Sequence, residues 1–72
     1  MSVSYLRLWK LLLDRRLKKT DLKELAGISN NTLARLGRDD YVSMESIGKL
    51  CRALDCRVED IMEFVEVVPN GK

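Results

Sequence analysis

Residues 24–40 read ELAGISNNTLARLGRDD. A helical apolar pattern of Leu22, Leu25 and Ala26 stops at Gly27, and Ser29 opens a second one. Glycine adopts the left-handed backbone that ends helices or turns them sharply, at no steric cost. Ser29 has the chemistry of a helix N-cap, and Ile28 before it and Leu33 inside it have the spacing of a hydrophobic staple. Gly37, or the GRDDY loop, is expected to end the second helix. Only AGIS separates the two helices. So short a connection predicts a steep crossing rather than an antiparallel pair, the geometry of a helix-turn-helix whose second member enters a DNA major groove.

The helix that starts after Ser29 can be read by angle. With Asn30 at zero and about 100° per residue, Ala34 falls at about 40°, Arg38 at about 80°, Asn31 at about 100° and Arg35 at about 140°. Leu33 and Leu36 fall at about 300° and 240°, on the opposite side. One face is therefore apolar and inward. The other holds Asn30, Asn31, Ala34, Arg35 and Arg38 and has no acidic residue. Asparagine can pair bidentately with adenine N6/N7 and arginine with guanine O6/N7, and the methyl of Thr32, at the edge of this face, could meet a thymine methyl. The amides at the Ser29 end can face a phosphate. An N-capping role accounts for Ser29 but leaves Asn31, Arg35 and Arg38 on one acid-free face unexplained.

Outward from this pair, Ser4 is expected to cap a first helix running to about Arg16, with Val3 and Leu8 at staple spacing. Its stripe is Leu8, Trp9 and Leu12, flanked by Leu6 and Leu13, with Trp9 expected in the core. Lys18 or Thr20 starts the second helix. Ser43 caps a fourth, with Val42 and Ile47 as staple and Ile47, Leu50, Cys51 and Leu54 as the inward stripe. A short fifth helix is predicted near residues 58–62, with Glu59 and Asp60 in its favourable first turn. The prediction is one all-α bundle of five short helices over residues 1–63. Residues 64–72 form a C-terminal tail that is strand-like or frayed, with residues 64–68 able to pair with a second copy.

Composition narrows the function. Seventy-two residues make one small domain. No apolar run approaches the ~18 residues of a membrane span, and no signal sequence is evident, so a soluble, cytoplasmic chain without membrane partners is expected. There is no histidine and no phosphate loop, which argues against an enzyme and against any metal or other cofactor. The two cysteines are too few for a zinc site, which takes about four ligands, and lack the usual base for nucleophilic work. Cys51 reads as a buried helical thiol and Cys56 as an ordinary small residue, with a Cys51–Cys56 redox switch as the alternative. Net charge is only +2, but it is sorted: residues 1–38 carry nine Lys/Arg against three acids, and residues 39–72 carry four against eight. The basic half holds the two short helices and suggests a polyanion surface.

The stretches LKKTDLKELAGISNNTLARL and SMESIGKLCRALDCRVEDIM together resemble the Cro/C1-type (Xre family) helix-turn-helix repressors of bacteria and phages, over about residues 5–63. The resemblance implies a lambda-repressor-like DNA-binding domain that acts as a homodimer on a two-fold, double-stranded operator. It matches Asn30, Asn31, Thr32 and Arg35 to base-reading positions. Lys19 and Thr20 match the start of the second helix, which touches the DNA backbone in such proteins, and Arg38 and Tyr41 lie in the loop after the third helix, which also approaches phosphate; Ser29 joins this set through the amides at its end of the helix. Lys19 stands where the family often has glutamine, and Lys23 where a small residue is usual. The expected function is sequence-specific transcriptional regulation, by repression. A different class of reading is a protein-interaction module, such as the antitoxin of a toxin–antitoxin pair, using the wide stripe of the first helix and the FVEVV tail for a protein partner.

Overall fold

The structure, a computed structural model, describes residues 1–66. In chain order these form strand β1 (Ser2–Ser4), helices α1 (Leu6–Asp14), α2 (Lys19–Ala26), α3 (Asn30–Gly37) and α4 (Met44–Leu54), a 3₁₀ turn at Val58–Asp60, and strand β2 (Glu63–Val65). The fold is mostly helical, as expected, but the described residues hold four α-helices rather than five. The expected fifth helix is a single tight turn. Asp60 closes it by accepting the Arg57 N–H at 3.0 Å, and the chain then straightens to pair β2 with β1. That pairing is antiparallel, with Ser2 opposite Val65, Val3 opposite Phe64 and Ser4 opposite Glu63. Strand β2 overlaps only the beginning of the expected 64–68 strand, and its partner is β1 of the same chain rather than a second copy. Residues 67–72, including the rest of the expected 64–68 strand, lie outside the described residues.

The beginning of the chain also differs from expectation. Ser4 belongs to β1 and Tyr5 takes the N-cap position of α1, although the Ser4 hydroxyl still accepts the Leu6 N–H at 3.3 Å. The staple residues Val3 and Leu8 are both buried. At its other end α1 stops at Asp14, two residues short of the expected limit. Arg16 is left-handed there (φ 58°), and Leu17 N–H reaches back to the Leu12 carbonyl at 2.9 Å. This closure satisfies end carbonyls and brings two leucines together.

Gly27 is left-handed (φ 69°), as the turn requires, and its N–H closes on the Lys23 carbonyl at 2.9 Å. Gly37 is different. It is the last residue of α3 and lies outside the left-handed region; the reversal happens at Asp39 (φ 57°). Asp39 and Asp40 N–H groups then bond back to the Leu36 and Arg35 carbonyls at 3.2 and 2.9 Å. Aspartate tolerates the left-handed region better than most residues.

The core is a single cluster of Val3, Tyr5, Leu8, Leu12, Leu22, Ile28, Leu36, Ile47, Leu50, Leu54 and Ile61. Every helix contributes, so α2 and α3 are seated on a common floor. Leu6, Leu13 and Leu25, read as parts of apolar stripes, are exposed instead. Trp9 is half-buried at the margin of the core, with the Lys19 ammonium 4.5 Å from its ring centroid.

Gly48 lies inside α4, exposed, and a Cβ built on it meets nothing within 4 Å. Gly48→Ala should therefore raise the unfolding free energy by about 0.5–1 kcal/mol, because it removes the entropy that helical glycine loses on folding. Urea unfolding measures this directly, and an unchanged or lower midpoint would refute it.

Candidate nucleic-acid interface

Three residues, 27–29, connect α2 to α3. Ile28 is buried and Ser29 is exposed. The Ser29 hydroxyl accepts the Thr32 N–H at 3.1 Å and donates to the Thr32 hydroxyl oxygen at 3.1 Å. That cap leaves the Asn30 and Asn31 N–H groups without a protein acceptor among the described residues, which is normal for the first turn of a helix. They point along the axis at the positive end of the helix dipole.

The sides of α3 separate as the angular reading predicts. Leu36 is completely buried and Leu33 half-buried against the core. Asn30, Asn31, Ala34 and Arg35 are exposed. Thr32 is half-buried and occupied as an acceptor by the cap, so its methyl and its own hydroxyl hydrogen remain for a ligand. No acidic residue occurs in the helix.

Around α3 the basic residues divide into two sets. Lys18, Lys19, Lys23 and Arg35 have no carboxylate within ion-pair distance among the described residues. Lys18 and Lys19 open α2, with the Lys18 N–H donating to the Asp21 carboxylate at 2.9 Å. Thr20 is exposed in the same turn, and Lys23 is half-buried on α2. The second set acts within the fold. Arg7 donates to the Glu59 carbonyl at 2.9 Å and to the Glu63 carboxylate at 3.1 Å. Arg15 donates to the Leu54 carbonyl at the end of α4. The charge sorting seen in the sequence is therefore partly an intramolecular attachment between the two halves.

Arg38 caps the C-terminal end of α3, and its Nε donates to the Asp40 carboxylate at 3.1 Å, so this neighbour offsets part of its charge. Tyr41 is exposed, with its ring centroid 6.4 Å from that of Phe64 and its hydroxyl 3.4 Å from the Met1 carbonyl. It thus lies beside the β-sheet and not on α3 itself.

Sequence reasoning passed over Tyr5 and took Asp39 and Asp40 for ordinary solvated loop acids. Tyr5 is buried, its N–H donates to the Asp39 carboxylate at 3.1 Å, and its hydroxyl donates to the Asp40 carbonyl at 2.7 Å. Burial, with the Asp39 carboxylate adding to it, pushes the phenol pKa up. The two acids that look like solvated loop residues fasten the end of α3 to the start of α1. The only sequence signal was a tyrosine between Ser4 and Leu6, and its partners are 34 and 35 residues away.

A three-residue turn with a left-handed glycine, a capped short helix anchored by leucine, and an acid-free exposed face define a helix-turn-helix DNA-binding domain. The sequence model of the Cro/C1-type HTH DNA-binding domain matches residues 7–66. The chain belongs to that family. The crystal structure of the transcriptional regulator VanUg (form II) aligns with a TM-score of 0.84 and 45% sequence identity, over 86% of this chain and 83% of that one. No curated protein sequence matches the chain. The family and the similar structure support DNA binding in transcriptional regulation. Among the described residues, no helix is long and apolar enough to cross a membrane.

Proposed function

We propose that the protein is a sequence-specific repressor that binds a two-fold DNA operator as a homodimer, with α3 of each copy in a major groove. The observation that carries this reading is the exposed face of α3, which is acid-free and held outward by Leu36 and Leu33 on the opposite side. Asn30, Asn31, Thr32 and Arg35 read base edges. Lys19, Thr20, Arg38 and Tyr41 approach the phosphates, and at Ser29 the contact comes from the backbone amides it leaves free rather than from its engaged hydroxyl. Two third helices about 34 Å apart meet successive major grooves on one side of the duplex. Repression follows from occupying a promoter.

Selection from random duplex DNA, followed by salt titration of the winner against a scrambled duplex, tests the proposal. An enriched two-fold site with a clear specificity ratio supports it. Equal, equally salt-sensitive binding to every duplex would reduce the basic surface to non-specific attraction.

Lys19 permits a second test because it reports on itself. Lys19→Ala should weaken binding to matched and scrambled duplexes alike and reduce the salt slope by about 1. Its ammonium lies over Trp9. DNA binding to the wild type should therefore change the Trp9 fluorescence, and this change should be lost in the variant. A selective loss on the matched duplex alone would assign Lys19 to base reading instead.

Removing residues 64–72 is a poor test of the dimer, because it also removes Phe64 and Val65 from β2. Sedimentation of the full chain with and without operator is the better measurement. A single copy on the complete two-fold site would refute the dimer.

A further inference from the structure

Cys51 lies in the last turns of α4, and Cys56 follows the left-handed Asp55 (φ 51°) that ends it. The Cys56 N–H donates to the Cys51 carbonyl at 3.0 Å. This bond folds the chain back so that two residues five apart face each other, the arrangement in which helix-end side chains make contact. Both thiols are free and half-buried at the margin of the core. They are covered enough to be held in place and open enough for a small reagent to reach them. We propose that Cys51 and Cys56 form a vicinal dithiol site that a low-molecular-weight disulfide converts to an intrachain disulfide within the native fold. Closure needs α-carbons ~4.4–6.8 Å apart, and the backbone hydrogen bond between the two residues keeps their main chains close.

The reaction is two exchanges. A thiolate of the pair attacks a sulfur of the small disulfide, forms a mixed disulfide and expels one small thiolate. The second cysteine thiolate attacks the protein sulfur of the mixed disulfide, closes the Cys51–Cys56 bond and expels the second small thiolate. Two electrons pass from the protein pair to the reagent. The two protons lost by the cysteines are taken up by the two released thiolates. Burial pushes both thiols up, and the Asp60 carboxylate adds to this at each, so the pair stays largely protonated near neutrality and the exchange is slow there.

The test exposes the full chain to oxidised glutathione at pH 8, with and without unfolding urea, and reads intact mass and free thiols. The expected native product is a monomer two mass units lighter, with both thiols lost and both restored by dithiothreitol. Cys51→Ser and Cys56→Ser should instead stop at a single glutathione adduct. In redox buffers, the effective concentration of one thiol toward the other should be at least ~10-fold higher in the native chain than in urea. Overturning results are stable glutathione adducts on both cysteines, chains linked to one another, thiols that survive conditions that oxidise a control peptide, or closure favoured in urea over the native state.

Discussion

Leu36→Ala is expected to lower the unfolding free energy by about 2–5 kcal/mol, the range for truncating a fully buried leucine. Leu36 is completely buried and is the one fully inward side chain of α3. A domain of 72 residues has roughly 4–11 kcal/mol in total, at ~0.05–0.15 kcal/mol per residue, so this single change removes a large share of it. A helix of eight residues is not stable in water alone and depends on packing. Loss of the anchor should therefore reduce operator binding and scrambled-duplex binding together, in step with the unfolded fraction. Urea unfolding followed by circular dichroism measures the first effect. A drop of less than ~1 kcal/mol would show that Leu36 does not carry the seating of α3.

Arg35→Ala should have the complementary outcome. Arg35 is exposed, has no carboxylate partner among the described residues, and sits on the acid-free face. Alanine keeps the helix, so stability should change by no more than ~0.5 kcal/mol. Specific binding should weaken by about 1–3 kcal/mol, and discrimination should relax at one base position. Arg35→Lys separates charge from geometry: lysine keeps the charge but lacks the planar fork that grips guanine at two points. Recovery of affinity for every duplex without recovery of discrimination is the expected result. Full recovery of discrimination by lysine, or equal losses by alanine on matched and scrambled DNA, would make Arg35 a phosphate contact.

The contrast between these two positions follows a separation that was readable in the chain. A period of about 100° per residue places Leu36 and Arg35 on different faces of any helix. Likewise, the caps at Ser29 and Ser43 were legible because each depends only on an amide three residues along, and both hydroxyls make that bond here. Gly27 was legible because a left-handed turn between two short apolar patterns favours that residue. The end of the third helix at Gly37 or in the GRDDY loop was legible too, but not which residue turns the chain. Glycine near a helix end suggests the stop, but the chain reverses two residues later at Asp39, where the carboxylate also serves as the acceptor for Tyr5.

What local pattern could not supply was the closing sheet and the use of the charges. Val3 and Phe64 meet across β1 and β2 although nearly the whole chain separates them. A three-residue strand has no periodicity to read and forms only because its partner arrives. The same distance hid Tyr5, whose polar ends are met by Asp39 and Asp40 only once α1 and α3 share a core. Nine cations in the first half looked alike in the sequence. Folding made Arg7 and Arg15 structural, paired Arg38 with Asp40, and left Arg35 and the start of α2 facing outward. The sequence by itself determined helices α1 to α4, the caps at Ser29 and Ser43 and the chemistry of the exposed face of α3, because these depend on neighbours within one or two turns. The tertiary structure decided how the ends close, how α3 is fastened and which charges remain for DNA, because those depend on groups that meet only when the core forms.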